Sequence, residues 1–189
     1  MASWGKVARG ITLGVGVVAV VAGCDSGGGS SHVTNSVSAT ATVAADVPAG
    51  FDACQLPQSL IQAEKLKNKG TDTHDGGGGT KWRGCIWVVS DGYSASIDST
   101  NITLDMVRAN KDFTVGQELS VAGRPALAYG PANQNNLQTH CILSVEVRGG
   151  SLEVSVNNPP NRSATGGEDS CAIATRLAAG IGPVIPANL

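Results

Sequence analysis

Aromatic side chains are scarce in this chain, where Phe, Trp and Tyr together make up 4% of 189 residues. A core with so few rings has to be filled mainly by Val, Leu, Ile and Ala. Charge is also sparse and nearly balanced, with 13 basic and 15 acidic residues and a formal net charge of -2. Nothing there points to a nucleic-acid partner, whose phosphates call for concentrated positive charge. Several chemical patterns are missing as well. There is no GxSxG nucleophile elbow, and the only histidines are His32, His74 and His140, so no hydrolase triad is nominated. There is no CxxC pair, which argues against both structural zinc and dithiol redox chemistry. KGTDTHDGGGGTK at 69–81, with Gly76 to Gly79 in a row, lacks the GxxxxGK[ST] spacing and no apolar strand precedes it, so it reads as a mobile surface loop, not a phosphate cradle. The length allows one ordinary domain plus targeting segments.

What is present begins at the N-terminus. Lys6 and Arg9 precede the uncharged run ITLGVGVVAVVAG at 11–23, the layout of a signal peptide. That run is short of the roughly 20 apolar residues a membrane-spanning helix needs. Val21-Ala22-Gly23-Cys24 resembles the lipobox of bacterial lipoproteins. The resemblance implies that residues 1–23 are removed and that the Cys24 thiol carries a diacylglyceryl group. Each buried CH2 contributes about 0.8 kcal/mol, and two acyl chains suffice for stable attachment. Cys24 is then a membrane anchor, not a catalyst, and the expected location is the outer face of the cell membrane. Residues 24–47 are rich in Ser, Thr, Gly and Ala and have no aromatic residue. Such a stretch cannot bury enough surface to offset its ordering entropy, so a flexible tether is expected, with His32 exposed on it.

A folded domain is expected over 48–189. Leu56, Leu60, Ile61 and Glu64 recur at helical spacing in LPQSLIQAEKLKN, with Pro57 suited to a first turn. The strands WRGCIWVV and YSASIDS flank Asp91-Gly92, a clear hairpin signal. TLDMVRANK reads as a short helix with Leu104 and Val107 inward. QELSVAGRPALAYG reads as one or two strands interrupted near Gly123-Arg124-Pro125. HCILSVEVRGGSLEVSVNN alternates on each side of Gly149-Gly150 as a second hairpin. Asp169 or Ser170 caps a last helix with Ile173, Leu177 and Ile181 on one face. The order predicts an α+β domain: a single, mainly antiparallel sheet, with one apolar face covered by short helices. An all-strand sandwich would require the terminal helical patterns to be misread.

With Cys24 set aside, Cys54, Cys85, Cys141 and Cys171 form an even set in an exported chain, which implies two disulfides. Three pairings are possible. Cys54 with Cys85 and Cys141 with Cys171 is preferred, because each bond ties a terminal helix start to a neighbouring strand. His140 and Cys141 are sequence neighbours whose side chains would point to opposite faces of a strand, so they do not make a metal site.

Taken with the lipobox, the segments FDACQLP, WRGCIW, VAGRPA, HCILSVEV and EDSCAIATRLA resemble the DUF3558 family, actinobacterial lipoproteins of unknown function. The resemblance covers most of the folded region and rests on the spacing of the set. It implies an envelope lipoprotein, a sheet covered by helices, and Cys54, Cys85, Cys141 and Cys171 as framework residues. It supplies no reaction.

No catalytic residue, cofactor or metal ligand is assigned. Asp72, His74 and Asp75 lack the spacing of a cation-binding loop and read as a polar surface segment. Two non-catalytic readings lead, with an envelope hydrolase as a third and less favoured one. One is a protein-interaction or accessory module held near the membrane by its tether. The other is a carrier of a small apolar ligand or lipid, which requires a large apolar cavity. Trp82, Trp87, Tyr93 and Tyr129 are the residues available to line a binding surface, with Trp87 expected in the sheet core.

Overall fold

The computed structural model describes residues 43–134 and 136–189. The expectations for the signal peptide, for Cys24, for His32 and for the tether up to residue 42 lie outside the described residues. The chain order is α1 (Gln58–Glu64), β1 (Lys67–Asp75), β2 (Lys81–Val88), β3 (Ser94–Thr100), α2 (Leu104–Ala109), β4 (Phe113–Val121), β5 (Arg124–Pro131), β6 (His140–Val147), β7 (Gly150–Asn157) and α3 (Ser170–Ile181). The strands form one seven-stranded sheet in the order β1-β2-β3-β7-β6-β5-β4. Every neighbouring pair is antiparallel. This is the α+β architecture with a single antiparallel sheet expected from the sequence.

Local chemistry explains the turns. Asp91 takes φ 53° at the tip of the β2–β3 hairpin, where the Val89 amide donates to the Tyr93 carbonyl. Between β4 and β5, Ala122 and Gly123 both have positive φ, 51° and 77°, as the commonest two-residue hairpin turn requires. Pro125 is tolerated in β5 because the ladder to β6 begins only at Ala126 opposite Val145.

α1 ends at Glu64, the last of the residues read at helical spacing, where Lys65 turns left-handed (φ 54°) and the Leu66 amide caps the Ile61 carbonyl. Two sequence expectations need correction. Of the segment expected as a mobile loop, residues 69–75 belong to strand β1, a backbone ladder along β2. The segment's glycines make a tight connection in which the Gly76 amide donates to the Thr80 carbonyl at 2.8 Å. Finally, β4 begins at Phe113, before the expected Gln117.

The pleat sorts the side chains onto two faces. On the first, Ile97, Leu143 and Val154 meet Ile173, Leu177 and Ile181 of α3, all fully buried, and Leu56 and Leu60 bring α1 onto the same core. Each such side chain contributes about 1.5–3 kcal/mol by leaving water. Asp169 caps α3 by accepting from the Cys171 and Ala172 amides at 2.8 and 3.0 Å. The disulfides are Cys54–Cys85 and Cys141–Cys171, the preferred pairing. They close chain separations of 31 and 30 residues, enough for about 3 kcal/mol each in the chain-entropy account. On the second face α2, with Leu104 and Val107 inward as expected, covers part of the sheet by packing on Leu127 and Tyr129.

At one end of the sheet, buried Asn101 donates to the carbonyls of Ala44 and Gly79 at 2.8 and 2.9 Å and accepts from the Lys81 amide. Lys81 Nζ donates to the Ala45 carbonyl at 2.7 Å. The last residues of the expected tether therefore lie against the domain.

Candidate functional site

The register places Asp72, Gly84, Asp98, Glu153 and Ser144 in one row across β1, β2, β3, β7 and β6. This row lies on the second face, where alternating strand residues are polar. It is nevertheless buried: Asp98 and Glu153 are 2% and 8% exposed. Gly84 makes the arrangement possible. A Cβ at that position would run into the Asp98 carboxyl and the Ile97 carbonyl. Without one, Asp72 and Asp98, two strands apart, reach the same Ser96 hydroxyl; the Asp98 contact is 2.6 Å.

Glu153 is better provided with donors. Trp82 Nε1 donates to its Oε1 and the Tyr129 hydroxyl donates to its Oε2, both at 3.2 Å. The Tyr129 hydroxyl also meets Ser144 Oγ at 3.1 Å. Among the described residues Asp98 Oδ1 has no partner. Burial pushes the Asp98 carboxyl up to about 7, repulsion from Asp72 and Glu153 adds to this, and the Ser96 hydrogen bond opposes it. Burial likewise raises Glu153, against the hydrogen bonds from Tyr129 and Trp82. It raises the Tyr129 phenol too, with the Glu153 carboxyl adding to the effect.

The row meets solvent at His74, stacked on Trp82 with ring centroids 4.7 Å apart and bonded through Nδ1 to Asp72 Oδ1 at 2.9 Å. Serine, aspartate and histidine are thus adjacent, but in the wrong order for a nucleophile. Asp72 lies between Ser96 and His74, so the imidazole is not in place to take the serine proton. No group of three or more His, Cys, Asp or Glu side chains suited to hold a metal ion occurs among the described residues. Asp75, the third member of that polar segment, pairs with Arg83 at 2.7 Å.

A separate pocket of about 590 Å³ opens beside the C-terminal end of α1, lined by Glu64, Lys65, Lys67, Tyr93, Glu168 and Arg176 among others. Arg176 spans Glu64 and Glu168 with contacts of 2.7 and 3.0 Å, and Tyr93 donates to Glu64 at 3.0 Å. The Arg176 hydrogen bond holds Glu64 below its usual range, more than offsetting desolvation. The pocket's charged groups are thus largely engaged with one another.

The residues proposed from the sequence to line a surface do not come together as one. Trp87, Tyr93 and Tyr129 are buried in the core, as expected for Trp87, while Trp82 is half-buried over Glu153. His140 bonds to Gln134 and Ser155, and burial pushes its imidazole down. Cys141, its neighbour, faces the other side and is consumed in a disulfide. The carboxyl row went unread in the sequence. Gly84 was its available signal, a glycine inside a strand and away from any turn, which marks a close approach.

The family model described as "Protein of unknown function (DUF3558)" matches residues 19–182. No curated protein and no solved structure matches the chain. The match takes in both disulfides, the whole carboxyl row and the cysteine at position 24. The chain belongs to the DUF3558 family.

Proposed function

We propose that the chain is a lipid-anchored protein of the cell envelope that serves as a non-catalytic interaction or accessory module. The observation that carries the non-carrier part is the filled layer between sheet and helices. Ile97, Leu143 and Val154 pack on Ile173, Leu177 and Ile181 with almost no surface left exposed, where a carrier would need space. The serine, aspartate and histidine order on the second face argues against hydrolysis. In support of the anchor, the family match begins at residue 19 and so includes the lipobox and Cys24. No helix of the described residues is long and apolar enough to cross a membrane. On this reading the attachment is made by the Cys24 acyl chains, and the partner is another envelope protein.

The test uses the full chain produced in a bacterium that processes lipoproteins, beside Cys24→Ala. The wild type is expected in the detergent phase on phase separation, with diacylglyceryl mass on its N-terminal peptide, and the variant is expected to lack that mass. An unmodified Cys24 in the wild type removes the anchor reading. Native mass spectrometry of the same protein is expected to show no lipid beyond the covalent chains. A further stoichiometric lipid would replace the interaction module with a carrier.

A further inference from the structure

The Ser96 hydroxyl poses a counting problem. It has one proton to donate, yet it lies within hydrogen-bond reach of two carboxyl oxygens, Asp72 Oδ2 and Asp98 Oδ2. One contact is satisfied by the serine proton. The other holds only if a carboxyl group carries a proton and donates it to Ser96 Oγ. Asp98 is the member sealed from water, and no cation faces it among the described residues. The groups around it are Asp72 from β1, Glu153 from β7 and, beyond Glu153, Tyr129 from β5 and His74 from β1. Among the described residues, neither Asp98 nor Glu153 forms an ion pair. The donors nearest Glu153, from Trp82 and Tyr129, are already directed to it.

What this proton holds in place is visible in β1. It is an edge strand, and of its nine residues only Asp72 is not exposed. Asp72 therefore fastens β1 onto the second face beside the exposed His74–Trp82 stack, and Ser96 is its fastening point. We propose that Asp98 is a built-in proton latch: as the neutral acid it donates to Ser96, Ser96 donates to Asp72, and edge strand β1 is thereby locked onto the sheet until the proton is lost. On deprotonation the Asp98 O–H bond breaks and the proton passes to bulk base, by way of Ser96 and Asp72 toward His74, whose side chain is 52% exposed. Ser96 then faces two carboxylates with a single proton, and Asp98 stands as an anion between Asp72 and Glu153. β1 keeps its backbone ladder to β2 and the His74–Trp82 stack but loses the buried Asp72–Ser96 fastening. Asp98 rises to about 7, which centres release near neutrality.

The sign follows from linkage. A carboxyl raised in the folded state stabilises the fold below its unfolded value, and the contribution is lost as pH rises through the folded value. Amide hydrogen exchange on the full chain, corrected for intrinsic rates, is expected to show β1 protection falling by up to about tenfold per pH unit above neutrality, with β6 and β7 unaffected. In Asp98→Asn the amide donates to Ser96 at every pH, so β1 protection is expected to be flat. Ser96→Ala is expected to give low β1 protection throughout, without the step. A β1 profile in Asp98→Asn that follows the wild type overturns the proposal. If that variant does not fold, the wild-type Asp98 carboxyl carbon, followed by NMR, decides alone. A midpoint near neutrality supports the latch, and a midpoint in the ordinary carboxylate range overturns it. Calcium is added at about pH 8.5 as a last arm. No change in β1 protection is expected, and restored protection would make the occupant a cation instead of a proton.

Discussion

The two faces of the sheet are made by the same strands yet are held by different forces. On the α3 face Ile97, Leu143 and Val154 bury carbon against carbon, and two disulfides fasten the helix-bearing segments to β2 and β6. On the α2 face Asp98, Glu153, Ser144 and Tyr129 bury polar atoms that must find partners, and one of them, Asp98 Oδ1, has none among the described residues. The first face owes its stability to the area removed from water, which does not change with pH. The second depends on protonation, because buried oxygen atoms are tolerable only when neutral or fully hydrogen-bonded. One face thus anchors the fold, and the other can respond to its surroundings.

The sharpest way to break that contrast is to truncate one residue on the apolar face. Leu177 is fully buried among sheet residues, and Leu177→Ala is expected to cost about 2–5 kcal/mol in urea unfolding. The cost should be the same at about pH 6 and about pH 8.5. A cost that changes with pH would mean that the two faces are coupled through the sheet.

A smaller and pH-dependent loss is expected from Tyr129→Phe, which removes the phenol proton from Glu153 Oε2 and leaves the ring in place. A buried acceptor deprived of its donor costs about 1–3 kcal/mol. The Tyr129 bond lowers the Glu153 carboxyl, so its removal makes ionisation of that group harder still. The loss should therefore grow as pH rises and the folded protein is driven to release the Glu153 proton. Unfolding measured at about pH 5 and about pH 8 checks this. An equal loss at both would show that Glu153 stays neutral throughout.

The same contrast explains what was legible in the sequence. The apolar face was read nearly whole, because Ile173, Leu177 and Ile181 repeat at helical spacing and the β2–β3 and β6–β7 strands alternate around turn residues. The disulfide pairing followed from that placement. β1 escaped because KNKGTDTHD contains no apolar side chain, so its strand state comes from the backbone ladder with β2 and leaves no period in the sequence. The carboxyl row escaped for a related reason. Asp98 and Glu153 stand at positions where alternation calls for an outward polar residue, and that alternation is obeyed. Glu153 meets Trp82 and Tyr129, 71 and 24 residues away in the chain, and Asp98 meets Asp72 through Ser96, so only the assembled sheet brings the row together. Gly84 alone carried a local trace of it.

The helices that cover the two faces offer the finest comparison. Asp169 caps α3 with two short hydrogen bonds, to the Cys171 and Ala172 amides. Thr103 caps α2 with a single bond of 3.3 Å, to the Met106 amide. Loss of an N-cap costs about 0.5–2 kcal/mol, and a carboxylate at a helix start adds a favourable dipole interaction. Asp169→Ala is therefore expected near 1 kcal/mol in urea unfolding and Thr103→Ala near the lower bound. The local consequences should run the other way. α3 is pinned at Cys171 by its disulfide and at Leu177 by the core, so a lost cap frays little. α2 has six residues and no covalent tie, so its amides should exchange faster in Thr103→Ala although the global loss is smaller. If α2 exchange is unchanged, Leu104 and Val107 hold that helix by burial alone, and the second face is less dependent on its polar contacts than the buried carboxyls imply.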